Sequence, residues 1–272
     1  MHVLESLHRN VKTVAMPSAM LVGAVLCRPV TALETWSGRM VTPVLIFLML
    51  FVTFCRVRPS EMRLSMLHGW LLLFQTIACV GVYFLLLPLD RTVAQGAMIC
   101  VLAPAVLSFA GTGACSFAGM LARIVPLLVL PFAAAQCCRA VLPGVAGWVA
   151  AHSQISFYLW LVSLAVVIGR TTAFLIDLHD ASAATELWLA AAALVICLVQ
   201  FKTGRAIGRR YGDPAAGGQS LGQKNTVLAV WMAQSFLDPI SSVAPTAYIV
   251  FQNFVNSYQI WRKDRERTEN RV

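Results

Sequence analysis

Long apolar runs alternate with short charged connectors along the chain. A run of about 20 apolar residues is long enough to cross a bilayer as a helix. Several runs are shorter than this, so the pattern locates the helices better than it locates their ends. It predicts membrane helices near 14 to 28, 40 to 55, 66 to 88, 118 to 142, 153 to 176 and 185 to 201, and a last helix from about 240 to 261. We therefore predict an all-α polytopic membrane protein with about eight or nine spans.

One further helix, near 216 to 237, is predicted to be discontinuous. A polar triplet, Gln223 to Asn225, interrupts apolar sequence just after several glycines, and a second half-helix is predicted from Thr226 to Phe236. The middle residue of the triplet is Lys224. A lysine near the centre of a bilayer costs roughly 2.5–3.5 kcal/mol on insertion scales, so such residues usually face a cavity or a partner and serve function. Discontinuous helices of this kind are typical of binding sites in secondary transporters.

The charged connectors orient the helices. Basic clusters follow the second predicted span, precede the broken helix and end the chain, whereas the connector with Asp177, Asp180 and Glu186 contains no lysine or arginine. Cytoplasmic connectors of membrane proteins carry the excess of basic residues. We therefore expect a multi-pass protein of the cytoplasmic membrane with both termini in the cytoplasm.

The segment 93 to 114 is apolar but ambiguous. If it crossed the membrane completely, the span that ends near Arg139 would finish outside the cell, and so would the later basic clusters. A re-entrant segment avoids this conflict, and Pro104 and Gly111 to Gly113 suit irregular backbone that protein or water covers. A complete crossing stays open, because Arg139 and Arg170 are single charges that need not follow the rule.

Composition narrows the classes of function. The chain is 58% hydrophobic and 12% charged, with a mean hydropathy of +0.73, which leaves too little polar surface for a soluble enzyme. The net charge of +9 lies in connectors and at the C-terminus, so it reflects topology and not nucleic-acid binding. The eight cysteines lack CxxC spacing, and no serine, histidine and aspartate share one membrane depth. We expect neither disulfides nor a metal site nor enzymatic activity.

Four stretches carry a more specific signal: Cys55 to Leu64, Leu71 to Phe84, Leu221 to Ala229 and Val250 to Ser257. The first joins an apolar helix end to a basic residue and Pro-Ser, and the second places Gln75 inside an apolar helix. The other two read LGQKNTVLA and VFQNFVNS. Together they resemble the bile acid:sodium symporter family of organic-anion transporters. The resemblance implies an inverted-repeat secondary-transporter fold, which in the family has two repeats of five helices.

The region that matches the family's fourth and fifth helices is compressed here into residues 93 to about 118. We therefore expect a single transmembrane transporter domain with fewer than the family's ten spans. Its predicted parts are a shortened first repeat over 1–118, a second repeat over 119–262 and a basic cytoplasmic tail over 263–272.

The resemblance also implies an ion site at the broken helix. Residues at positions similar to the family's ion site are Gln75, Ser220, Gln223 and Lys224. Ser220 stands where the family has a glutamate, and Lys224 stands where it has a glutamine. Bound Na⁺ is therefore doubtful, and the Lys224 ammonium would take the place of that cation beside the carbonyl end of the first half-helix. H⁺ coupling through Lys224 is an alternative, and no other cofactor is expected.

The candidate substrate-binding residues are Lys224, Asn225, Gln252, Asn253 and Asn256. Asn225 begins the second half-helix, whose free backbone N–H groups suit a carboxylate. The three residues of the last helix project from one side of it. Structural alternatives stay open, in which Lys224 extends from a helix end, Asn225 only caps its helix and the other amides join helices.

These features predict a secondary active transporter of an organic anion, either bile-acid-like or a small carboxylate. Its expected partners are the lipid bilayer and that anion, without nucleic acid. The alternative is a shortened, transport-incompetent relative that acts as a binding or structural membrane protein. The compressed region, 93 to 118, motivates this alternative, because a core that lacks crossing helices need not support alternating access.

Overall fold

The computed structural model describes residues 15–58, 65–101, 117–152, 154–177 and 183–269. Within these ranges every regular element is helical, so the predicted all-α class is confirmed. In chain order the helices are α1 (Ala15–Val25), α2 (Cys27–Trp36), α3 (Val41–Phe54), α4 (Met66–Leu86), α5 (Arg91–Val101), α6 (Phe117–Val141), α7 (Pro143–Ala151), α8 (Gln154–Asp177), α9 (Ala183–Arg209), α10 (Pro214–Gly222), α11 (Thr226–Phe236), a 3₁₀ turn (Pro239–Ser242) and α12 (Val243–Glu269).

Three helices, α4, α8 and α9, are long and apolar enough to cross a membrane. The pair α1 and α2, bent by 76° at Leu26, is a candidate fourth span, and α3 and Val125–Val141 are shorter apolar helices. Large apolar side chains such as Leu72 and Leu85 on α4 are more than half exposed on the outer surface. A helix that is apolar on its exposed side is suited to lipid. The fold is therefore that of a polytopic membrane protein, while the predicted eight or nine spans and the repeat organisation stay predictions.

The helices pack in two groups. In the first group α3 packs on α6 and α8, α2 packs on α8, and α7 packs on α6. In the second group α9 is central and packs on α4, α5, α10 and α12. The groups meet where α11 and the 3₁₀ turn contact α8 and where α11 contacts α3. The discontinuous helix thus lies at the junction between the two groups.

Helices α9 and α10 form a hairpin held by direct backbone contact. A Cβ atom added to Gly217 would lie 2.8 Å from Gly208 Cα and still closer to the carbonyl oxygen of Gly204. No side chain fits in this space, so glycine at Gly204 and Gly217 is what allows the two backbones to meet. The approach sets where α10 ends and therefore where the polar triplet lies.

Polar contacts define the two ends of the bundle. Arg139 of α6 donates to the carbonyl oxygens of Cys55 (2.5 Å) and Val57 (3.0 Å), so α6 ends beside the end of α3. At the opposite end, Asp177 of α8 pairs with Arg28 of α2 at 2.7 Å. Helix α4 therefore leads away from the end that holds Arg139, and α6 returns to it.

The segment 93 to 114 is described only as far as Val101. Its described part belongs to α5, an eleven-residue helix in which every residue from Val93 to Val101 is buried. This described part is shorter than the roughly 20 residues that a crossing helix needs. Residues 102–116, with Pro104 and Gly111 to Gly113, lie outside the described residues.

Candidate functional site

The predicted break in the helix near 216 to 237 lies at the polar triplet. Helix α10 ends at Gly222 and α11 begins at Thr226, so residues 223–225 are not helical. Asn225 is the N-cap of α11, and its Oδ1 accepts a hydrogen bond from the Leu228 N–H at 3.3 Å. A cap of this kind satisfies one of the free N–H groups that begin a helix. Part of the polarity of the triplet therefore serves to start α11.

Helix α12 holds the break through two side chains one turn apart. The Tyr248 hydroxyl donates to the carbonyl oxygen of Gly222 at 2.8 Å. Gln252 Oε1 accepts from the backbone N–H of Lys224 at 3.0 Å, and its Nε2 lies 3.5 Å from Thr226 Oγ1. Tyr248 and Gln252 are both buried. In a continuous helix the Gly222 carbonyl and the Lys224 N–H would bond within the helix. Here side chains of α12 satisfy them instead.

The side chain of Lys224 is directed into the protein. Its Nζ atom is buried and has no hydrogen-bond partner among the described residues. Among the described residues, the titratable side chains that interact electrostatically with it are the thiols of Cys79 on α4 and Cys100 on α5. No carboxylate of the described part of the chain is therefore paired with this ammonium, which is an uncommon arrangement for a buried cation. The geometry does not match a lysine that extends from a helix end to the surface.

The last described residues of α5 lie in the interior near the break. The carbonyl oxygen of Val101 accepts from Gln75 Nε2 at 2.7 Å, and that of Cys100 accepts from Gln200 Nε2 at 3.3 Å. Amide donors therefore satisfy both of these carbonyl oxygens of α5. The Cys100 thiol contributes to the electrostatic environment of the Lys224 ammonium. Gln200 Oε1 is also buried without a hydrogen-bond partner among the described residues.

The predicted site residues fall into three places. Lys224, Asn225 and Gln252 come together at the break. Gln75 lies at the end of α5. The remaining ones are not gathered at the ammonium: Asn253 Nδ2 bonds the Ile249 carbonyl of its own helix, Asn256 accepts from Gln219, and Ser220 and Gln223 are exposed.

Sequence reasoning missed Tyr248, Gln200, Cys79 and Cys100 as neighbours of the break. Gln200 carried a usable signal, because it is a lone amide near the end of an apolar run, as Gln75 is in its helix. Tyr248 and the two cysteines carried none, since such residues also fill ordinary helix contacts in the apolar interior. Their role depends on which helices meet at the break.

A second buried polar cluster lies where the two helix groups meet. Arg170 Nη1 of α8 lies 3.7 Å from Glu34 Oε1 of α2, and this oxygen accepts from the Thr42 N–H at 3.0 Å. One residue further along α8, the Thr171 hydroxyl accepts from Gln234 Nε2 of α11 at 2.9 Å. This cluster connects α2, α3, α8 and the second half of the broken helix.

Among the described residues no group of three or more histidines, cysteines, aspartates or glutamates could hold a metal. The break holds the buried ammonium of Lys224 and the N-terminus of α11. Both kinds of group attract anions. A carboxylate is the chemical group that such a site binds well.

Comparisons with known proteins do not assign the chain to a family. No protein-family model matches it, and no curated protein matches its sequence.

Proposed function

We propose that the protein is a secondary active transporter of an organic anion, either a bile-acid-like molecule or a small carboxylate. The observation that carries this proposal is the Nζ atom of Lys224, which is buried in the break between two short helices and has no hydrogen-bond partner among the described residues. A permanently unpaired cation in an apolar interior is costly, so an anionic ligand that enters and neutralises it is favoured. Discontinuous helices are a recurrent way to build such sites in transporters.

The proposed coupling does not use sodium. Lys224 follows the C-terminal end of α10 by two residues, and its ammonium is buried in the break. Other transporters bind a coupling cation on helix carbonyls at such breaks. A fixed positive charge in this place repels Na⁺. Gln75 and Gln200 already donate to the last carbonyls of α5, which leaves fewer oxygen ligands for a cation. Proton coupling through Lys224 is the alternative proposal.

Two packed helix groups that meet at the broken helix support a rocking mechanism. Helix α11 contacts α3 and α8 of the first group, while α10 and α12 belong to the second group. Alternating access in such transporters proceeds by movement of one bundle against the other around a fixed site. The break would then open alternately to the two ends of the bundle.

The direct experiment is uptake by the purified chain reconstituted in liposomes. A ligand-stabilisation screen of bile acids, keto acids and other small carboxylates first identifies an anion that stabilises the wild type, and this anion is then used for uptake. We expect Lys224→Met to lower uptake by about tenfold to a hundredfold, because a hydrogen bond to a charged group is worth about 1.5–3 kcal/mol. Arg56→Met is the control, because Arg56 is an exposed cation that is distant from the break in the sequence.

Other outcomes separate the rival proposals. Unchanged uptake in the Lys224 variant would sink its role in the site. Stabilisation by the anion without any uptake would favour the transport-incompetent alternative, a binding or structural membrane protein. Uptake that needs a sodium gradient would contradict sodium-independent coupling, while uptake driven by a pH gradient alone would favour protons.

A further inference from the structure

A cavity of 1430 Å³ lies between α9, α10 and α12, and Lys224 is not among its lining residues. Leu194 and Leu198 of α9 and Phe254 of α12 line its apolar part. Leu198 is 51% exposed and Phe254 is 68% exposed, so this part is open to the outside of the bundle. Because α9 is long and apolar enough to be a membrane span, lipid chains would surround the apolar part in a bilayer. We call this cavity the basic groove, because lysine and arginine residues line its other end.

The opposite end of the basic groove is strongly cationic. Lys202, Arg205 and Arg209 of α9 line it. No aspartate or glutamate lines the groove within the described part of the chain. Leu198 and Arg209 are separated by roughly 16 Å along the helix axis at 1.5 Å per residue. The apolar and cationic parts are therefore spatially distinct.

Uncharged amides lie between these two parts. Gln219 Nε2 of α10 donates to Asn256 Oδ1 at 3.1 Å and to Gln259 Oε1 at 3.3 Å, and all three residues line the groove. The groove thus changes from apolar to polar to cationic along one direction. A phospholipid has the same order: acyl chains, then glycerol esters, then phosphate.

We propose that the basic groove binds an anionic phospholipid, with an acyl chain against Leu198 and Phe254 and the phosphate at Lys202 and Arg209. Basic pockets between membrane helices bind anionic lipid headgroups. Each lysine or arginine near the membrane surface contributes a similar amount of binding free energy. Gln223 also lines the groove and precedes Lys224 in the break. The bound lipid therefore contacts the broken helix from outside. This proposal requires only that the chain is a membrane protein and does not depend on transport.

The test measures lipid binding to the purified full chain in detergent. Phosphatidylglycerol and phosphatidylcholine with identical acyl chains are titrated, and the rise in melting temperature reports the apparent Kd. We expect phosphatidylglycerol to stabilise the wild type more than phosphatidylcholine does. The double variant Lys202→Gln, Arg209→Gln should bind it about thirtyfold more weakly, the factor that two cation contacts with an anionic lipid are worth.

A matched double variant, Arg56→Gln and Arg210→Gln, removes the same charge from exposed positions that do not line the groove. It should bind phosphatidylglycerol as the wild type does. Equal weakening in both double variants would overturn the proposal in favour of general charge attraction. Equal stabilisation by the two lipids would also overturn it. If glycerol phosphate alone reproduces the stabilisation, the groove binds a soluble phosphate compound and the assigned lipid is wrong.

Discussion

At the scale of single residues, Arg170 shows how a charge is accommodated inside this bundle. Its guanidinium Nη1 lies 3.7 Å from the Glu34 carboxylate, and the two side chains are 14% and 3% exposed. Glu34 also accepts hydrogen bonds from the backbone and hydroxyl of Thr42. Arg170 Nη1 is buried without a hydrogen-bond partner among the described residues, so the ion pair with Glu34 is what offsets the burial of its charge.

Removal of one partner should therefore be costly. We predict that Glu34→Ala lowers the free energy of unfolding by about 3–5 kcal/mol, since it leaves the Arg170 charge buried without its partner. The double variant Glu34→Leu, Arg170→Met should lose much less, because it leaves no unpaired charge. Unfolding of the purified protein in detergent measures both.

The Arg28–Asp177 pair supplies the control for this prediction. Its side chains are 61% and 59% exposed. An exposed ion pair contributes about 0–1 kcal/mol, so Asp177→Ala should change stability little. If Asp177→Ala and Glu34→Ala cost the same, burial would not be what makes the Glu34 pair important.

At the scale of elements, the hairpin of α9 and α10 determines where the break lies. The backbones touch at Gly204 and Gly217, so any side chain at these positions must push the helices apart. The break is in turn held to α12 by Tyr248 and Gln252. A shift of α10 against α9 would therefore strain the contacts that place Lys224.

We predict that Gly217→Ala destabilises the protein by about 1–3 kcal/mol, the usual cost of forcing extra volume into a packed interface. Gly81→Ala on α4 is the matched control, because nothing lies within 4 Å of the Cβ it would add. Alanine there should be neutral or slightly stabilising, since it favours the helix. Thermal unfolding in detergent compares the two variants, and equal stability of both would contradict the proposed backbone contact.

At the scale of the whole molecule, basic residues outnumber acidic ones at one end of the bundle in the described part of the chain. Arg56 and Arg139 lie at the end where α3 and α6 finish, whereas at the opposite end Asp177 is paired with Arg28. Trp70 near the start of α4 lines a small cavity with Arg210 and Tyr211, which places the end of α9 beside the start of α4. Basic residues are enriched on the cytoplasmic side of membrane proteins. We propose that the end with Arg139 and Arg210 faces the cytoplasm.

Labelling with a membrane-impermeant maleimide tests this orientation in intact cells. In a background without the partly exposed Cys137 and Cys138, Leu89→Cys should react from outside, because Leu89 is 72% exposed after α4 ends. Arg210→Cys should react only after the cells are permeabilised. The reverse pattern would overturn the orientation while leaving the packing of the bundle unaffected.

Much of the helical layout could be predicted from the sequence, because long apolar runs have few other stable forms in a membrane. Helices α3, α4, α6 and α8 begin and end within two residues of the predicted bounds. Helix α9 continues eight residues beyond the predicted end, at Phe201, since its basic last two turns are helical but not apolar. The bend at Leu26 and the short helix α7 carry no comparable signal, because they depend on packing against α8 and α6.

The sequence by itself determined the fold class, the position of the helix break and the presence of a lysine within it. These features depend on the length of apolar runs and on glycines and charges that lie close together in the sequence. Only the tertiary structure decided what surrounds that lysine. Cys79, Cys100 and the buried residues of α5 come from helices 120 or more positions earlier in the chain. A single sequence carries little record of which distant helices touch, and the electrostatic environment of Lys224 depends on those contacts.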